Sequence, residues 1–226
     1  MKIHYYSEWF YNALPEKLIA LLQADITDRK SLVMICTTPS DYKAADEAFN
    51  TIKQKWFDSA NIIFSKYHLI GYRVSKEKAH KLLRDASVIF FLGGDSRWQN
   101  NFLAEYELSD PIKNSNAIII GNSSGATNMS AKWICSKYKE RHVNRYKIEK
   151  STIYDGVGLD DFTYEPYFEF NNTPLLEEEL FPLSQEIAIY ATNEEGFIRI
   201  KDGKFDFVGN VFLISGSMVQ QMNETL

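Results

Sequence analysis

The segment Gly121-Asn122-Ser123-Ser124-Gly125 follows the apolar run Ala117-Ile118-Ile119-Ile120 without a break. It reads as strand, sharp turn and helix, the G-x-S-x-G pattern of a nucleophile elbow. A strand that reverses into a helix within so few residues forces unusual backbone angles and leaves no room for side chains on its flanks. Glycines there let the Ser123 oxygen stand exposed above the sheet, at the positive end of the helix that continues through Ala126-Thr127-Asn128-Met129. The competing reading is a strand-to-helix turn with incidental serines.

Two more apolar runs are uninterrupted: Leu32-Val33-Met34-Ile35-Cys36 and Val88-Ile89-Phe90-Phe91-Leu92. Continuous rather than alternating apolarity means burial on both faces, as in a parallel sheet covered by helices. Further strands are predicted over Lys2 to Tyr6 and around Phe64 to Ile70. Between them Tyr42, Ala45, Phe49, Ile52 and Trp56 recur at helical spacing on one face, as do Ala79, Leu82, Leu83 and Ala86 after Ser75, a suitable N-cap. Roughly the first 135 residues therefore read as a doubly wound α/β sheet, whose functional end is the carboxyl end of its strands. The last third differs. Ile187 to Tyr190 and Gly196 to Ile200 precede a Lys201-Asp202-Gly203-Lys204 turn and then Phe205 to Val208, which predicts antiparallel strands added at a sheet edge. With no linker, repeat or low-complexity stretch, residues 1–226 read as one domain.

Composition excludes several classes. A hydrophobic content of 45% with 14% aromatics belongs to a folded globule, the aromatics serving either a homodimer interface or a larger core. The net charge of -5, with no basic stripe, argues against nucleic acid. No apolar run approaches membrane-spanning length, and Met1-Lys2-Ile3-His4-Tyr5 lacks the apolar core of a signal peptide. Cys36 and Cys135 show no metal-ligand spacing; Cys36 reads as a small core residue, and Cys135 carries no readable role. The expectation is a reduced, cytoplasmic protein. Without a metal cluster or a phosphate-binding glycine loop with its lysine, no cofactor is expected.

A second motif, Gly93-Gly94-Asp95-Ser96, stands at the end of the 88–92 strand. If that strand neighbours the elbow strand, the Gly94 amide points where the serine attacks. With the amide of Ser124 it would then stabilise a developing oxyanion, each such donor lowering the barrier by about 3–4 kcal/mol. The competing reading is an ordinary glycine turn capped by Asp95 or Ser96.

Together these residues resemble the peptidase E family of aspartyl dipeptidases, cyanophycinases and their relatives. That family pairs strand-Gly-Gly-(Asn/Asp) with a later strand-Gly-x-Ser-Ala-Gly-Ala, present here as Gly93-Gly94-Asp95 and Gly121-Asn122-Ser123-Ser124-Gly125-Ala126. Gly156-Val157-Gly158-Leu159 leading to Glu165-Pro166-Tyr167-Phe168 looks like the family's approach to its catalytic histidine. Asn193-Glu194-Glu195-Gly196-Phe197-Ile198 looks like its closing Pro-Glu-Gly strand pair. The resemblance implies a flavodoxin-like, mostly parallel doubly wound sheet with helices on both faces, related to class I glutamine amidotransferases. It also implies a serine hydrolase of small peptides, often with an aspartyl residue on the acyl side. Such a substrate calls for a cationic pocket, for which Arg97, Arg141 and Arg145 are the candidates.

The pattern breaks at the base. Where the family has histidine in a Pro-His-(Phe/Tyr) context, this chain has Tyr167. An unassisted serine hydroxyl is a poor nucleophile, and a phenol with pKa near 10 is a poor base at neutral pH. His4, His68 and His80 fall in strand and helix segments and read as structural. His142, within Lys139-Glu140-Arg141-His142, is the only histidine after Ser123, in a stretch where the resemblance also places the orienting acid. Two expectations follow. Either His142 with Glu140 activates Ser123 in a rearranged triad, or the scaffold has lost its base and is an impaired homologue that binds a ligand or acts slowly. In the second, Tyr167 packs or hydrogen-bonds at the site wall, with Glu165 and Glu169 beside it as candidate pocket carboxylates. An α/β-hydrolase esterase is disfavoured because its histidine comes last in chain order, well after the elbow. A glutaminase is disfavoured because the elbow carries serine, not cysteine.

Overall fold

The apolar runs become neighbouring strands whose side chains sort by parity onto two faces. The structure, a computed structural model, describes residues 2–11 and 13–225; Met1, Asn12 and Leu226 lie outside the described residues. Strands β1 (Ile3–Ser7), β2 (Ser31–Ile35), β3 (Lys66–Ile70), β4 (Val88–Phe91) and β5 (Ile118–Asn122) form a parallel array in the order β1-β5-β4-β2-β3. Leu32, Met34, Val88, Phe90 and Ile120 point to one face, where α1 (Glu16–Asp25) and α2 (Tyr42–Ile52) cover them. Val33, Ile35, Ile89, Phe91 and Ile119 point to the other, under α3 (Lys76–Arg84), α4 (Ser96–Glu105), α5 (Ser109–Lys113) and α6 (Ser124–Met129). Each fully buried aliphatic or aromatic side chain on these faces contributes about 1.5–3 kcal/mol. This is the doubly wound, flavodoxin-like arrangement that uninterrupted apolar strands require.

Beyond the elbow helix, β6 (Lys132–Cys135) leads into α7 (Glu140–Tyr146) and pairs with β7 (Thr152–Asp155) in a separate antiparallel ribbon. Strand β8 (Thr163–Glu165) pairs parallel to β9 (Ile189–Lys201), and β9 runs antiparallel along the free side of β1. Then β10 (Lys204–Ser215) and β11 (Met218–Gln221) extend the antiparallel edge through the Asp202-Gly203 turn. The two segments read from sequence as separate strands, around 187–190 and 196–200, are one long strand. It is interrupted by left-handed residues at Glu194 (φ 51°) and Glu195 (φ 69°), opposite a register shift between Val208 and Asn210. The helical face expected to run from Tyr42 to Trp56 also changes partway: α2 ends at Ile52, and a wider π-helical turn (Lys53–Asp58) carries Trp56 and Phe57 into the core. Among the described residues no helix is long and apolar enough to cross a membrane.

Candidate active site

Strand β5 delivers Ser123 to the carboxyl edge of the sheet in a conformation that only a tightly built turn sustains. Its φ of 51° and ψ of -121° lie where a non-glycine residue costs about 1–3 kcal/mol. The surroundings hold it there. The Ser123 amide donates to the Ser7 carbonyl at 2.7 Å, and α6 folds back hard against β4 and β5. A Cβ on Gly125 would sit 2.2 Å from the Phe91 carbonyl oxygen, and one on Gly121 would sit 2.4 Å from the Met129 sulfur. No side chain fits at either position, so the elbow glycines are a requirement of close approach.

Strand β4 ends beside this turn, as the second motif needs. The Ser124 hydroxyl donates to the Gly94 carbonyl at 2.9 Å, bringing the two segments into contact. Gly94 has φ 143°, a backbone angle open to glycine, and a Cβ there would collide with the Thr37 hydroxyl. Among the described residues, the amides of Gly94 and Ser124 donate to no acceptor in the chain, and both residues line the same cavity as Ser123. Asp95 does cap α4, accepting from the Trp98 amide at 2.9 Å, as the glycine-turn reading expects.

Tyr167 stands at the site, not away from it. Its phenol faces the Ser123 hydroxyl, which acts on it as a hydrogen-bonding neighbour, and accepts the Trp9 amide at 3.1 Å. The Arg141 guanidinium lies over its ring, 4.6 Å from the centroid. Burial pushes the phenol above its usual pKa; the hydrogen bonds from Ser123 and Trp9 and the Arg141 charge pull it back only in part. Tyr167 itself is left-handed, with φ 58°, and its amide donates to the Glu8 carboxylate at 2.7 Å. Glu8 is buried, and its other partners include the Thr192 hydroxyl at 3.0 Å. Sequence reading missed Glu8; its signal was a carboxylate placed directly after the buried first strand.

His142 and Glu140 do not form the rearranged acid–base pair. The His142 Nδ1 accepts the Ser136 amide at 3.0 Å, which leaves the proton on Nε2 and no lone pair for a serine proton. Burial, with Lys139 and Arg141 nearby, pushes its pKa down to about 2, so the ring is also a feeble base. Glu140 is exposed, and its carboxylate accepts from the Asn144 amide nitrogen one turn along α7. The physical reason is local: α7 turns His142 back onto its own preceding loop.

The site opens into a cavity of about 870 Å³ that reaches from α2 to α7 across the sheet edge. Trp9, Ile52 and Leu92 line one part, while Tyr138, Arg141, Arg145 and Tyr146 line another. Arg145 hydrogen-bonds the Gly94 carbonyl and lies 3.9 Å from the Asp95 carboxylate. Arg97 lies instead over the Tyr146 ring at 4.9 Å and is not among the lining residues. Glu165 is no free pocket carboxylate: it is buried, with the Lys139 amine nitrogen against its carboxyl group. Glu169 remains exposed at the cavity wall. His4, His68 and His80 lie in β1, β3 and α3, where His4 pairs with Asp160 and His80 with the Tyr106 carbonyl. Cys36 and Cys135 are both buried and free. Among the described residues no group of three or more His, Cys, Asp or Glu side chains is placed to hold a metal ion.

No protein-family model matches the sequence, and no curated protein matches it either. Solved structures do. A peptidase from an acI-B1 Actinobacterium aligns with TM-score 0.68 over 100% of this chain and 96% of its own, at 17% sequence identity. A candidate peptidase E protein from Listeria monocytogenes EGD-e aligns with TM-score 0.59 over 99% of this chain and 100% of its own, also at 17% identity. At that identity the likeness is one of backbone. This chain therefore shares, from end to end, the fold of two structures described as a peptidase and a peptidase E: a flavodoxin-like, mostly parallel sheet with an antiparallel C-terminal edge.

Proposed function

We propose that this chain is a serine hydrolase of small peptides, acting by acyl transfer through Ser123 with Tyr167 as proton acceptor. The observation that carries the reading is the placement of strained Ser123 beside the Tyr167 phenol and the amides of Gly94 and Ser124, which find no acceptor among the described residues. In the first half-reaction the Ser123 oxygen bonds to the scissile carbonyl carbon while its proton passes to the Tyr167 phenolate. The Gly94 and Ser124 amides hold the resulting oxyanion. Collapse breaks the C–N bond, and the phenol returns its proton to the departing amine. Water then attacks the acyl-serine by the same route, releasing acid and free Ser123. Arg141 and Arg145 in the cavity wall favour an acidic side chain on the substrate, such as aspartyl. No cofactor enters these steps.

The base must be ionised to work, and burial holds Tyr167 protonated at neutral pH. Turnover is therefore slow near pH 7 and rises with pH into and beyond the ordinary tyrosine range. The same protonation favours a second reading, an impaired homologue that binds peptides without cleaving them. Labelling with a fluorophosphonate serine probe from pH 7 to 10 separates the two. A rate that climbs with pH and disappears in both Ser123→Ala and Tyr167→Phe supports the hydrolase. An unlabelled wild type that still binds aspartyl peptides in calorimetry supports the binding module.

A further inference from the structure

Three consecutive residues at the end of β1 grip both members of the Ser123–Tyr167 pair. The Ser7 carbonyl takes the Ser123 amide at 2.7 Å, the Glu8 carboxylate takes the Tyr167 amide at 2.7 Å, and the Trp9 amide gives to the Tyr167 phenol at 3.1 Å. We infer that Glu8 is the positioning residue that registers Tyr167 against Ser123, an inference that rests on the acyl-transfer reading above. Tyr167 has φ 58°, a conformation a tyrosine leaves unless its surroundings hold it, and the Glu8 carboxylate supplies that hold at the strained residue itself.

Glu8 is in turn fixed. It is 3% exposed, and its Oε1 also accepts the Thr192 hydroxyl at 3.0 Å, while the Thr192 oxygen meets the Tyr164 phenol at 2.6 Å. The backbone of Glu195, one of the left-handed residues in β9, also favours the charged form of Glu8. The carboxylate thus joins the end of β1, the Tyr167 turn and the irregularity of β9. A carboxylate buried with several donors around it makes stronger, shorter bonds than a neutral acceptor. Glu8 acts on the backbone of the proton acceptor and touches no reacting atom, unlike the side-chain acid of a hydrolase triad.

The test compares Glu8→Gln, which keeps an acceptor for the Tyr167 amide, with Glu8→Leu, which keeps bulk and loses it. The readouts are hydrogen exchange at the Tyr167 amide and the alkaline titration of its 13Cζ resonance, assigned with Tyr167→Phe. Glu8→Leu is expected to speed exchange about tenfold or more and to move the titration midpoint, with Glu8→Gln close to wild type. A folded Glu8→Leu protein with unchanged exchange and midpoint overturns the inference. If Glu8→Leu fails to fold, the wild type decides: an unprotected Tyr167 amide overturns the inference, and a protected one supports it. Neither readout needs a reactive Ser123. An inert serine with a shifted Tyr167 therefore sinks the hydrolase reading and leaves the positioning role standing.

Discussion

The cavity has two halves built by different means. The elbow half, from Gly93-Gly94 to Ser123-Ser124, is a backbone construction: two adjacent parallel strands, glycines where chains touch, and amides left free. The other half is a side-chain construction, assembled from the end of β1, the loop before α7, the Tyr167 turn and β9. The first half brings Gly94, Ser123 and Ser124 together on the cavity wall. The second carries the half-buried Tyr167 phenol beside Ser123, and its His142 has Nδ1 taken up by the Ser136 amide. Oxyanion-holding geometry comes with the fold of the main chain, whereas a working base depends on one side chain and its neighbours. A single substitution can alter the second while leaving the first intact.

That contrast can be broken. The largest effect is expected from Tyr167→His, because a competent general base contributes about 10²–10⁴-fold and histidine tolerates a left-handed backbone. Fluorophosphonate labelling at pH 7.5 should accelerate by that order; an unchanged rate in a folded variant would mean the elbow half is itself defective. Next in size is Gly125→Ala, whose Cβ would enter the Phe91 carbonyl. Thermal or denaturant unfolding should show a loss of about 3 kcal/mol, the upper range of overpacking. A loss below a few tenths of that would show that α6 need not lie so close.

His142 gives a smaller, pH-dependent effect on the other half. Its folded pKa of about 2 lies below its unfolded value near 6.5, so below pH 6.5 the unfolded chain takes up a proton that the folded chain refuses. Stability is full above that pH and falls as pH drops, by about 2 kcal/mol between pH 6.5 and 5. His142→Asn keeps an acceptor for the Ser136 amide and should abolish that part of the slope in urea titrations. Equal slopes would place His142 in contact with water. The smallest expected effect is from Ser123→Gly, which relieves the strain at φ 51° and should raise stability by about 1 kcal/mol. A lower melting temperature than Ser123→Ala would show that the elbow is not strained.

Legibility followed the same division. The Val88 and Ile118 strands, the Ser75 cap, the Asp202-Gly203 hairpin and both glycine motifs were readable because each is local: periodicity, a capping residue or a required glycine. The pairing of His142 with Ser136, of Glu165 with Lys139, and of Glu8 with Tyr167 was not readable. The last of these joins positions 159 residues apart. The Glu194–Glu195 irregularity in β9 was missed for a related reason: residues without glycine's freedom adopt left-handed angles there, opposite a register shift in β10 that lies far along the chain.

By itself the sequence determined the parallel sheet and the strand–turn–helix reversal at Ser123, since continuous apolar strands have one way to be buried and such a reversal needs glycine at its flanks. Only the tertiary structure decided what faces Ser123. Proton acceptance depends on which lone pair is free, how deeply its ring is buried and which distant donor fixes its backbone. Those quantities exist only once β1, α7, the Tyr167 turn and β9 have met.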